Sequence, residues 1–316
     1  MEERFISVFN SHETPTIPQS ERDSVRALDC PPRPTIVSIS DIHGFLGEAR
    51  SALLTLSDHP DYDPIVKTDP ARRLHWAGGE EYVLVINGDL IDRGPQSGRV
   101  VDMVDRLIDE APRGHVRVTV GNHEMGVLNQ ELYGWSDWYA GQRSQDERRA
   151  FMDAVLDGHV VAAYEGYTVT YAHAGQPEPY EIKTVNDDLI DGVQQLQDKL
   201  GEPEATEKQR ELLEEHPQVF GFGNEHSRGP GAGITWLDFE YMPSDAPPQI
   251  VGHSRHDAPT RRGDVICENV IRSNRREDGG EAVLVETPES ITALGRTADG
   301  SVDTHTFSFP NRDNSA

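Results

Sequence analysis

The chain has 316 residues, with 55 acidic and 29 basic side chains and a formal net charge of -26. This length is ample for one large domain or two small ones with a buried core. An excess of negative charge of this size repels nucleic-acid phosphates and anionic membranes, so we exclude both as partners.

The charge also indicates an environment. Only four of the 29 basic residues are lysine, and arginine supplies the other 25. We favour adaptation to high internal salt, which screens the self-repulsion of an acidic surface. The alternative is an ordinary acidic protein from a GC-rich genome that favours arginine.

Cysteine content and hydropathy indicate the compartment. The two cysteines, Cys30 and Cys267, show no CxxC spacing, so they predict neither a thiolate zinc site nor a disulfide framework. No apolar run reaches the roughly 18 residues of a membrane span, and the N-terminus lacks a signal-peptide core. We therefore expect a cytoplasmic protein.

The apolar pattern predicts strands that alternate with helices, which is typical of an α/β fold. Residues 1–34 form a polar extension, and residues 297–316 form a polar, loose tail. The short strands late in the chain indicate a second sheet. The predicted elements between these ends are strand Thr35–Ser40, helix Leu46–Leu56, loop Asp58–Glu80, strand Tyr82–Ile86, helix Val100–Ile108, strand Val116–Val120, helix Glu124–Leu156, strands Val160–Tyr164 and Tyr167–Ala172, the helical region Pro177–Pro217, and strands Gln249–Gly252, Val265–Cys267, Ala282–Glu286 and Ile291–Leu294.

Five short motifs combine glycine with carboxylate, imidazole or amide groups, and most of them follow a predicted strand directly. Strand ends converge on one edge, and oxygen and nitrogen ligands of this kind bind hard or borderline divalent cations. A single such motif would be explained by a capping Asp or a loop His. Five in this order predict a two-metal hydrolase site. The motifs are Asp41-Ile42-His43-Gly44, Gly88-Asp89-Leu90-Ile91-Asp92-Arg93-Gly94, Gly121-Asn122-His123-Glu124, His173-Ala174-Gly175 and Gly252-His253.

The second and third motifs resemble those of the calcineurin-like metallophosphoesterases. The resemblance is to the branch that holds the phosphoprotein phosphatases and the symmetrical diadenosine tetraphosphatases. It implies a metallophosphoesterase domain over residues 35–296, with insertions at about 58–80 and 177–217. It also implies a four-layer αββα sandwich, in which two mixed β-sheets lie face to face with helices on both outer faces.

The resemblance implies a role for each motif residue. His123 would protonate the leaving oxygen, with Asp92 orienting its ring. Arg93 would bind the phosphate with its planar fork, and we assign a second phosphate contact to Arg228, with Arg255 as the rival candidate. Two divalent ions are implied, for which manganese is favoured and iron, zinc, cobalt or nickel also suit the ligands. The implied ligands are Asp41, His43, Asp89, Asn122, His173 and His253, with Asp89 bridging the two ions.

The implied reaction is hydrolysis of a phosphate monoester by in-line attack of a hydroxide that bridges the two metals. The leading substrate class is phosphoserine or phosphothreonine in proteins. The alternative is a dinucleoside tetraphosphate or another small phosphorylated metabolite. A non-catalytic binding protein on a decayed scaffold is disfavoured, because the motif set is intact.

Two departures from related motifs bear on the substrate. Gly252-His253-Ser254-Arg255-His256 differs from the Gly-His-x-His of many metallophosphoesterases, which favours the phosphatase-like branch over nucleases. His173-Ala174-Gly175 differs from the His-Gly-Gly of eukaryotic protein phosphatases. Trp135, Trp138 and Tyr139 are predicted to form a half-buried helical face, with a substrate groove as the alternative.

Overall fold

The computed structural model describes residues 15–28 and 30–308. Residues 1–14 and 29 of the predicted extension, and residues 309–316 of the predicted tail, lie outside the described residues. The strands are β1 Thr35–Ile39, β2 Val66–Thr68, β3 Leu74–Trp76, β4 Tyr82–Asn87, β5 Val116–Thr119, β6 Val160–Val161, β7 Ala163–Glu165, β8 Thr170–Ala172, β9 Gln249–Val251, β10 Thr260–Arg262, β11 Val265–Cys267, β12 Ala282–Glu286, β13 Ile291–Arg296 and β14 Val302–Phe307.

The helices vary from single turns to 17 residues in length. Short 3₁₀ turns occur at Val25–Ala27, Ala140–Gln142 and Phe239–Tyr241. The α-helices are α1 Gln19–Arg22, α2 Leu46–Leu53, α3 Thr55–Asp58, α4 Ser97–Glu110, α5 Asn122–Leu128, α6 Gln130–Tyr133, α7 Gln145–Leu156, α8 Ile182–Asp198, α9 Ala205–Glu215, α10 Pro217–Phe220, α11 Asn224–Ser227 and α12 Ile271–Asn274.

Two mixed sheets form the centre of the fold. The larger has the order β14-β13-β12-β1-β4-β5-β6, with β1, β4, β5 and β6 parallel and the other pairings antiparallel. The smaller has the order β10-β11-β9-β8-β7 and places β9 parallel to both of its neighbours. The predicted fold class, with two mixed sheets and flanking helices, is confirmed.

The central strand β4 explains how the layers are held together. It is buried along its whole length, because a strand inside a parallel region is covered on both faces. Val83 and Val85 pack into the core between the sheets, where they join Ile250 of β9. Leu84 and Ile86 point the opposite way, into the larger core beneath the helices.

The two outer faces of the sandwich are covered differently. On the larger sheet, α4 buries an apolar stripe that includes Val100 and Val104. On the smaller sheet, Trp236 and Leu237 pack against Val265 of β11. The covering segment on that side, residues 232–246, has one 3₁₀ turn as its regular structure.

Several predicted elements take a different place in the structure. β12 and β13 extend the larger sheet and do not contribute to the second sheet late in the chain. Val302–Phe307, predicted within a loose tail, pairs with β13 as the edge strand β14. The predicted loop Asp58–Glu80 contains the β2–β3 hairpin. β2 and β14 consist mostly of exposed residues, so the local apolar pattern did not reveal them.

The single helix predicted over Glu124–Leu156 is wrong. α6 ends at Tyr133, and the residue that caps its C-terminus, Gly134, adopts the left-handed conformation with φ of 63°. A new helix, α7, then begins at a capping box in which Ser144 and Glu147 cap each other. The predicted aromatic face therefore lies in the break between helices.

Among the residues that the structure describes, none of the helices is both long enough and apolar enough to span a membrane.

Candidate metal centre

The loops that follow β1, β4, β5, β8 and β9 meet at one edge of the sandwich. Backbone hydrogen bonds join them. Asp41 N donates to Gly88 O at 3.0 Å, and His43 N donates to Asp89 O at 2.8 Å. On the other sheet, Gly252 N donates to the carbonyl oxygen at position 173 at 2.7 Å. The motif loops therefore hold each other in position before any side chain is considered.

The first group of ligand atoms lies where the β1 and β4 loops meet. His43 Nε2 lies 3.4 Å from Asp89 Oδ2 and 3.7 Å from Asp41 Oδ1. All three side chains are buried. Separations of this size leave room for one cation between the three groups.

The second group shares Asp89 with the first. His173 Nε2 lies 3.4 Å from Asp89 Oδ2 and 3.3 Å from Asn122 Oδ1. His253 Nδ1 lies 3.0 Å from the same amide oxygen. A single carboxylate thus faces both groups, which is the arrangement that a bridging ligand requires.

Hydrogen bonds set the histidine tautomers. His43 Nδ1 lies 3.0 Å from Ile91 O, and His173 Nδ1 lies 3.0 Å from Asn87 O. A backbone carbonyl accepts only from a protonated nitrogen, so these contacts place the proton on Nδ1. In the neutral form of each ring, the Nε2 lone pair is then directed at the ligand groups, as a metal-binding imidazole requires.

Burial shifts the pKa values of the outer ligands towards their neutral forms. It raises the pKa of Asp41 to about 7, against the opposing charge of His173, and lowers the pKa of His43 to about 3. Burial, followed by the repulsion of His173, holds the pKa of His253 well below its usual value. Neutral imidazoles are the form that coordinates cations.

Asp89 and His173 behave as a pair. Burial opposes charge on both, yet their mutual attraction lowers the pKa of Asp89 well below its usual range. The same attraction raises the pKa of His173 to about 10. A cation beside Asp89 would take over the role that the protonated imidazole plays here.

The residues present fit two divalent ions. Asp41 Oδ1 is buried and has no hydrogen-bond partner among the described residues, which is costly for a carboxylate unless a cation binds it. Two triads have all their ligand atoms within 4.8 Å of one another, namely His43, Asp89 and His123, and Asp89, His173 and His253.

His123 belongs to one triad by distance, but its own contacts point to another role. Its Nδ1 lies 2.5 Å from Asp92 Oδ2, and its Nε2 lies 3.2 Å from Arg93 Nη2. A guanidinium beside Nε2 repels a second cation there. Asp92 is held in turn by the backbone amide of Ala140 at 3.0 Å.

Glu124 supports the site from behind the candidate ligands. Its carboxylate accepts hydrogen bonds from Asp89 N at 2.8 Å, Leu90 N at 2.9 Å and Gly121 N at 3.0 Å. This carboxylate is therefore committed to the backbone of two motif loops. It fixes the direction in which Asp89 enters the site.

Close approach explains two of the glycines. A Cβ atom at position 121 would overlap Asp89 Oδ1, and one at position 252 would overlap Asp41 Oδ2. Each of these two glycines thus leaves space for a candidate ligand from another loop.

Backbone strain is concentrated at the site. A positive φ costs a residue with a side chain roughly 1–3 kcal/mol. Such values persist only where the surrounding contacts enforce them. They occur at the site residues Asp41 (50°), His43 (49°), Asp89 (55°), Asp92 (71°), Arg93 (60°) and His253 (61°).

A cavity of about 710 Å³ opens over these groups. It places Arg93 and Arg228 on its wall together with His123, so the structure brings both predicted phosphate contacts to one opening. Asp41, Asp92 and His173 lie behind the wall, where the ligand groups are buried. All ten predicted site residues therefore converge, and their individual roles stay predictions.

Sequence reasoning missed Asp238 and Arg272, which also line this cavity. Asp238 Oδ1 lies 3.4 Å from Arg228 Nη1 and 3.7 Å from His253 Nε2, and it accepts a hydrogen bond from Ser254 Oγ at 2.9 Å. It therefore holds Arg228 by a hydrogen bond and faces His253 without one. Neither position carries a recognisable motif, and the segment around Asp238 has no periodic pattern that would have revealed it.

The chain was compared with known proteins. The profile of the calcineurin-like phosphoesterase family matches residues 34–254. Shewanella-like protein phosphatase 2 of Arabidopsis thaliana is 29% identical over an alignment of 119 residues, and the match covers 33% of this chain and 27% of that protein. The chain thus spans about a quarter of this relative.

Among solved structures, a mutant of a cold-active protein tyrosine phosphatase superposes with a TM-score of 0.58 at 19% identity. The cold-active protein-tyrosine phosphatase of a psychrophile, Shewanella sp., gives a TM-score of 0.55 at 19% identity. Each match covers 86% of this chain and 80% of the other. At this identity the likeness shows the fold alone.

Proposed function

We propose that the chain, which belongs to the calcineurin-like phosphoesterase family, is a metal-dependent phosphatase that hydrolyses phosphate monoesters on protein side chains. One observation carries the proposal. Two groups of ligand atoms share Asp89, and a His–Asp pair and two arginines lie beside them around one cavity. We propose manganese as the first metal to test.

Two divalent ions at these groups would polarise the phosphate and lower the pKa of attacking water. The chain's own residues bind and orient the substrate. Arg93 and Arg228 flank the opening and bind the non-bridging phosphate oxygens, where a planar guanidinium gives paired hydrogen bonds. Asp238 keeps Arg228 pointed at the opening.

His123 protonates the leaving group. Attack on phosphorus breaks the bond to the side-chain oxygen, which needs a proton to leave as an alcohol. The protonated imidazole of His123 donates that proton from Nε2, while Asp92 accepts from Nδ1 and balances the charge. The products are the free side chain and inorganic phosphate.

Phosphoserine and phosphothreonine are the first candidate substrates. The support is the spacing of Asp89, Asp92 and Arg93 in the second motif, which resembles that of the phosphoprotein phosphatases. The curated relative with 29% identity also carries the name of a protein phosphatase.

Phosphotyrosine is the second candidate, because the leaving-group side of the site is aromatic. The His123 ring centroid lies 5.2 Å from that of Trp135 and 5.6 Å from that of Trp138. The Arg93 guanidinium lies 4.9 Å from the Trp138 ring centroid. Such a wall suits an aryl leaving group.

The test is a comparison of substrates on metal-free protein and on protein reconstituted with manganese. The substrates are para-nitrophenyl phosphate, a phosphothreonine peptide, a phosphotyrosine peptide and diadenosine tetraphosphate. We expect metal-dependent turnover with a higher kcat/KM on a peptide than on the dinucleotide. Preference for the dinucleotide would move the assignment to small-molecule hydrolysis, and turnover unaffected by chelator would overturn the proposed chemistry.

A further inference from the structure

The cavity over the metal centre carries far more positive charge than one phosphate requires. This is notable in a chain with a net charge of -26. Its negative lining residues are Asp89, Asp238 and Glu240. Six arginines line it: Arg93, Arg228, Arg255, Arg261, Arg262 and Arg272.

Four of the six arginines already have assigned work. Arg93 and Arg228 are the proposed contacts of the scissile phosphate. Arg261 pairs with Asp264 at 3.0 Å, and Arg262 donates to the backbone oxygens of the 239–242 turn. Arg261 and Arg262 therefore stabilise the cavity wall through contacts within the protein.

Arg255 and Arg272 differ from the other four. Within residues 15–28 and 30–308, neither arginine side chain has a hydrogen bond or an ion pair to another side chain or to the backbone. Arg255 is exposed at the rim, and Arg272 is half-buried below it. Both line the same cavity, and burial, followed by the like charges of Arg93 and Arg255, lowers the pKa of Arg272.

Hydrogen bonds tie together the two backbone segments that carry these arginines. His256 N donates to Asn269 O at 2.9 Å, and Asn269 Nδ2 donates to His253 O at 3.0 Å. Asn274 Nδ2 donates to Asp257 O at 3.0 Å. The loop that carries Arg255 is thus tied to the segment that carries Arg272, and one end of that loop is a metal-ligand candidate. Two like charges that make no ion pair with an acidic side chain repel each other, and a bound anion would relieve that repulsion.

We propose that Arg255 and Arg272 form a second anion subsite, which binds an acidic group on the substrate next to the scissile phosphate. The proposal rests on the proposed function and narrows its substrate class to phosphoprotein segments with a nearby carboxylate or second phosphate. Both sources present the planar or tetrahedral oxyanion that guanidinium groups bind. The subsite sets specificity and takes no part in bond cleavage.

The experiment uses four phosphopeptides that differ at the positions flanking the phosphoresidue, which are Gln, Glu, Lys or a second phosphoserine. We would measure kcat/KM on each for the wild-type protein and for Arg255→Ala, Arg272→Ala and the double variant. The matched control is Arg149→Ala, which removes an exposed arginine of α7 outside the cavity. A thermal melt of each variant verifies its fold.

We expect the wild type to prefer the Glu and phosphoserine peptides over the Gln peptide by about tenfold, and the Lys peptide to be poorest. In the double variant this preference should fall to about twofold or less, with the change mainly in KM, while Arg149→Ala keeps it. In the wild type, molar KCl should reduce the preference, because salt screens a contact at the rim. The ratio of Glu to phosphoserine turnover tells a carboxylate site from a phosphate site.

The subsite and the proposed function fail in different ways. Equal kcat/KM on all four peptides, or a preference that survives in the double variant, would overturn the subsite and leave the function intact. Turnover of para-nitrophenyl phosphate with no turnover of any peptide would overturn the proposed function, and the subsite with it.

Discussion

His123 illustrates how contacts, rather than distance alone, assign a role to a residue. Its ring lies among metal-ligand candidates, yet Asp92 holds Nδ1 and Arg93 stands beside Nε2. Arg93 would repel a cation bound at that nitrogen. A ring held in this way can donate a proton to the leaving group of a substrate that enters through the cavity.

The first prediction follows from this role. His123→Ala should keep both metal ions but lower kcat by about 10²- to 10⁴-fold, because the leaving oxygen then departs unprotonated. The loss should be larger for an alkyl phosphate than for para-nitrophenyl phosphate, whose leaving group needs little protonation. Metal content and kcat on both substrates test this. Loss of metal from the variant would instead make His123 a ligand.

Gly121 shows the second constraint at the residue scale, which is space. Its missing side chain is where Asp89 Oδ1 lies. The glycine is thus required by a ligand on a different loop, and the constraint cannot be recognised from the local backbone.

The second prediction concerns this close approach. Gly121→Ala should displace Asp89, weaken metal binding and lower the free energy of unfolding by about 1–3 kcal/mol. Chemical denaturation and metal titration measure both effects. Gly47→Ala is the matched control, because a Cβ on this exposed helical residue meets nothing within 4 Å. Equal behaviour of the two variants would show that the site tolerates a side chain there.

At the scale of elements, the two sheets are joined by buried polar contacts in addition to apolar packing. Glu286 ends β12 of the larger sheet. Its carboxylate accepts from Tyr167 N at 3.0 Å and from the Tyr171 hydroxyl at 2.8 Å, both in the smaller sheet or its β7–β8 turn. The sandwich is therefore fixed in register as well as stacked.

The third prediction tests this link. Glu286→Ala should lower the free energy of unfolding by about 2–4 kcal/mol, because a backbone amide and a hydroxyl are left buried without partners. Urea denaturation gives the value. Glu289→Ala, an exposed change in the neighbouring turn, should alter it by less than about 0.5 kcal/mol. A loss at Glu286 no larger than that at Glu289 would mean that water replaces the contacts.

Much of the fold could be predicted from the sequence, and so could the convergence of the candidate ligand residues at one edge of the sandwich. Asp41, Asp89 and Asn122 follow buried strands directly, so strand ends and ligand positions are encoded together. β14 and the β2–β3 hairpin were missed, because β2 and β14 are mostly exposed strands that show no run of apolar residues. The break after α6 was missed because helical periodicity continues through it.

The cavity wall was predicted less well than its floor. Asp238 approaches His253 and Arg228 from an irregular segment, and Arg272 lines the cavity from a single helical turn. Neither position follows a strand or carries a motif. Side chains that act through tertiary placement alone leave no local signal in one sequence.

At the scale of the whole molecule, charge is divided between an acidic exterior and a cationic cavity. The net charge of -26 is spread over the chain, while six arginines surround one opening. The local field over the metal centre is therefore attractive to phosphate, even though the protein as a whole repels anions at long range.

The fourth prediction follows from the acidic exterior. The unfolding temperature should rise as KCl increases from about 0.1 M to above 1 M, because salt screens the self-repulsion of the folded state. Thermal melts across this range measure it, with sucrose as a control for general solute exclusion. An unfolding temperature independent of KCl would favour an ordinary acidic protein over one adapted to high salt.

The central claim is that Asp89 joins two metal ions in one catalytic centre. The most direct test measures the metal content per chain, together with phosphatase turnover, in the wild type and in Asp89→Asn. We predict two ions per wild-type chain and the loss of at least one ion and of nearly all turnover in the variant, because an amide bridges cations poorly. Full metal loading and full activity in Asp89→Asn would contradict the account.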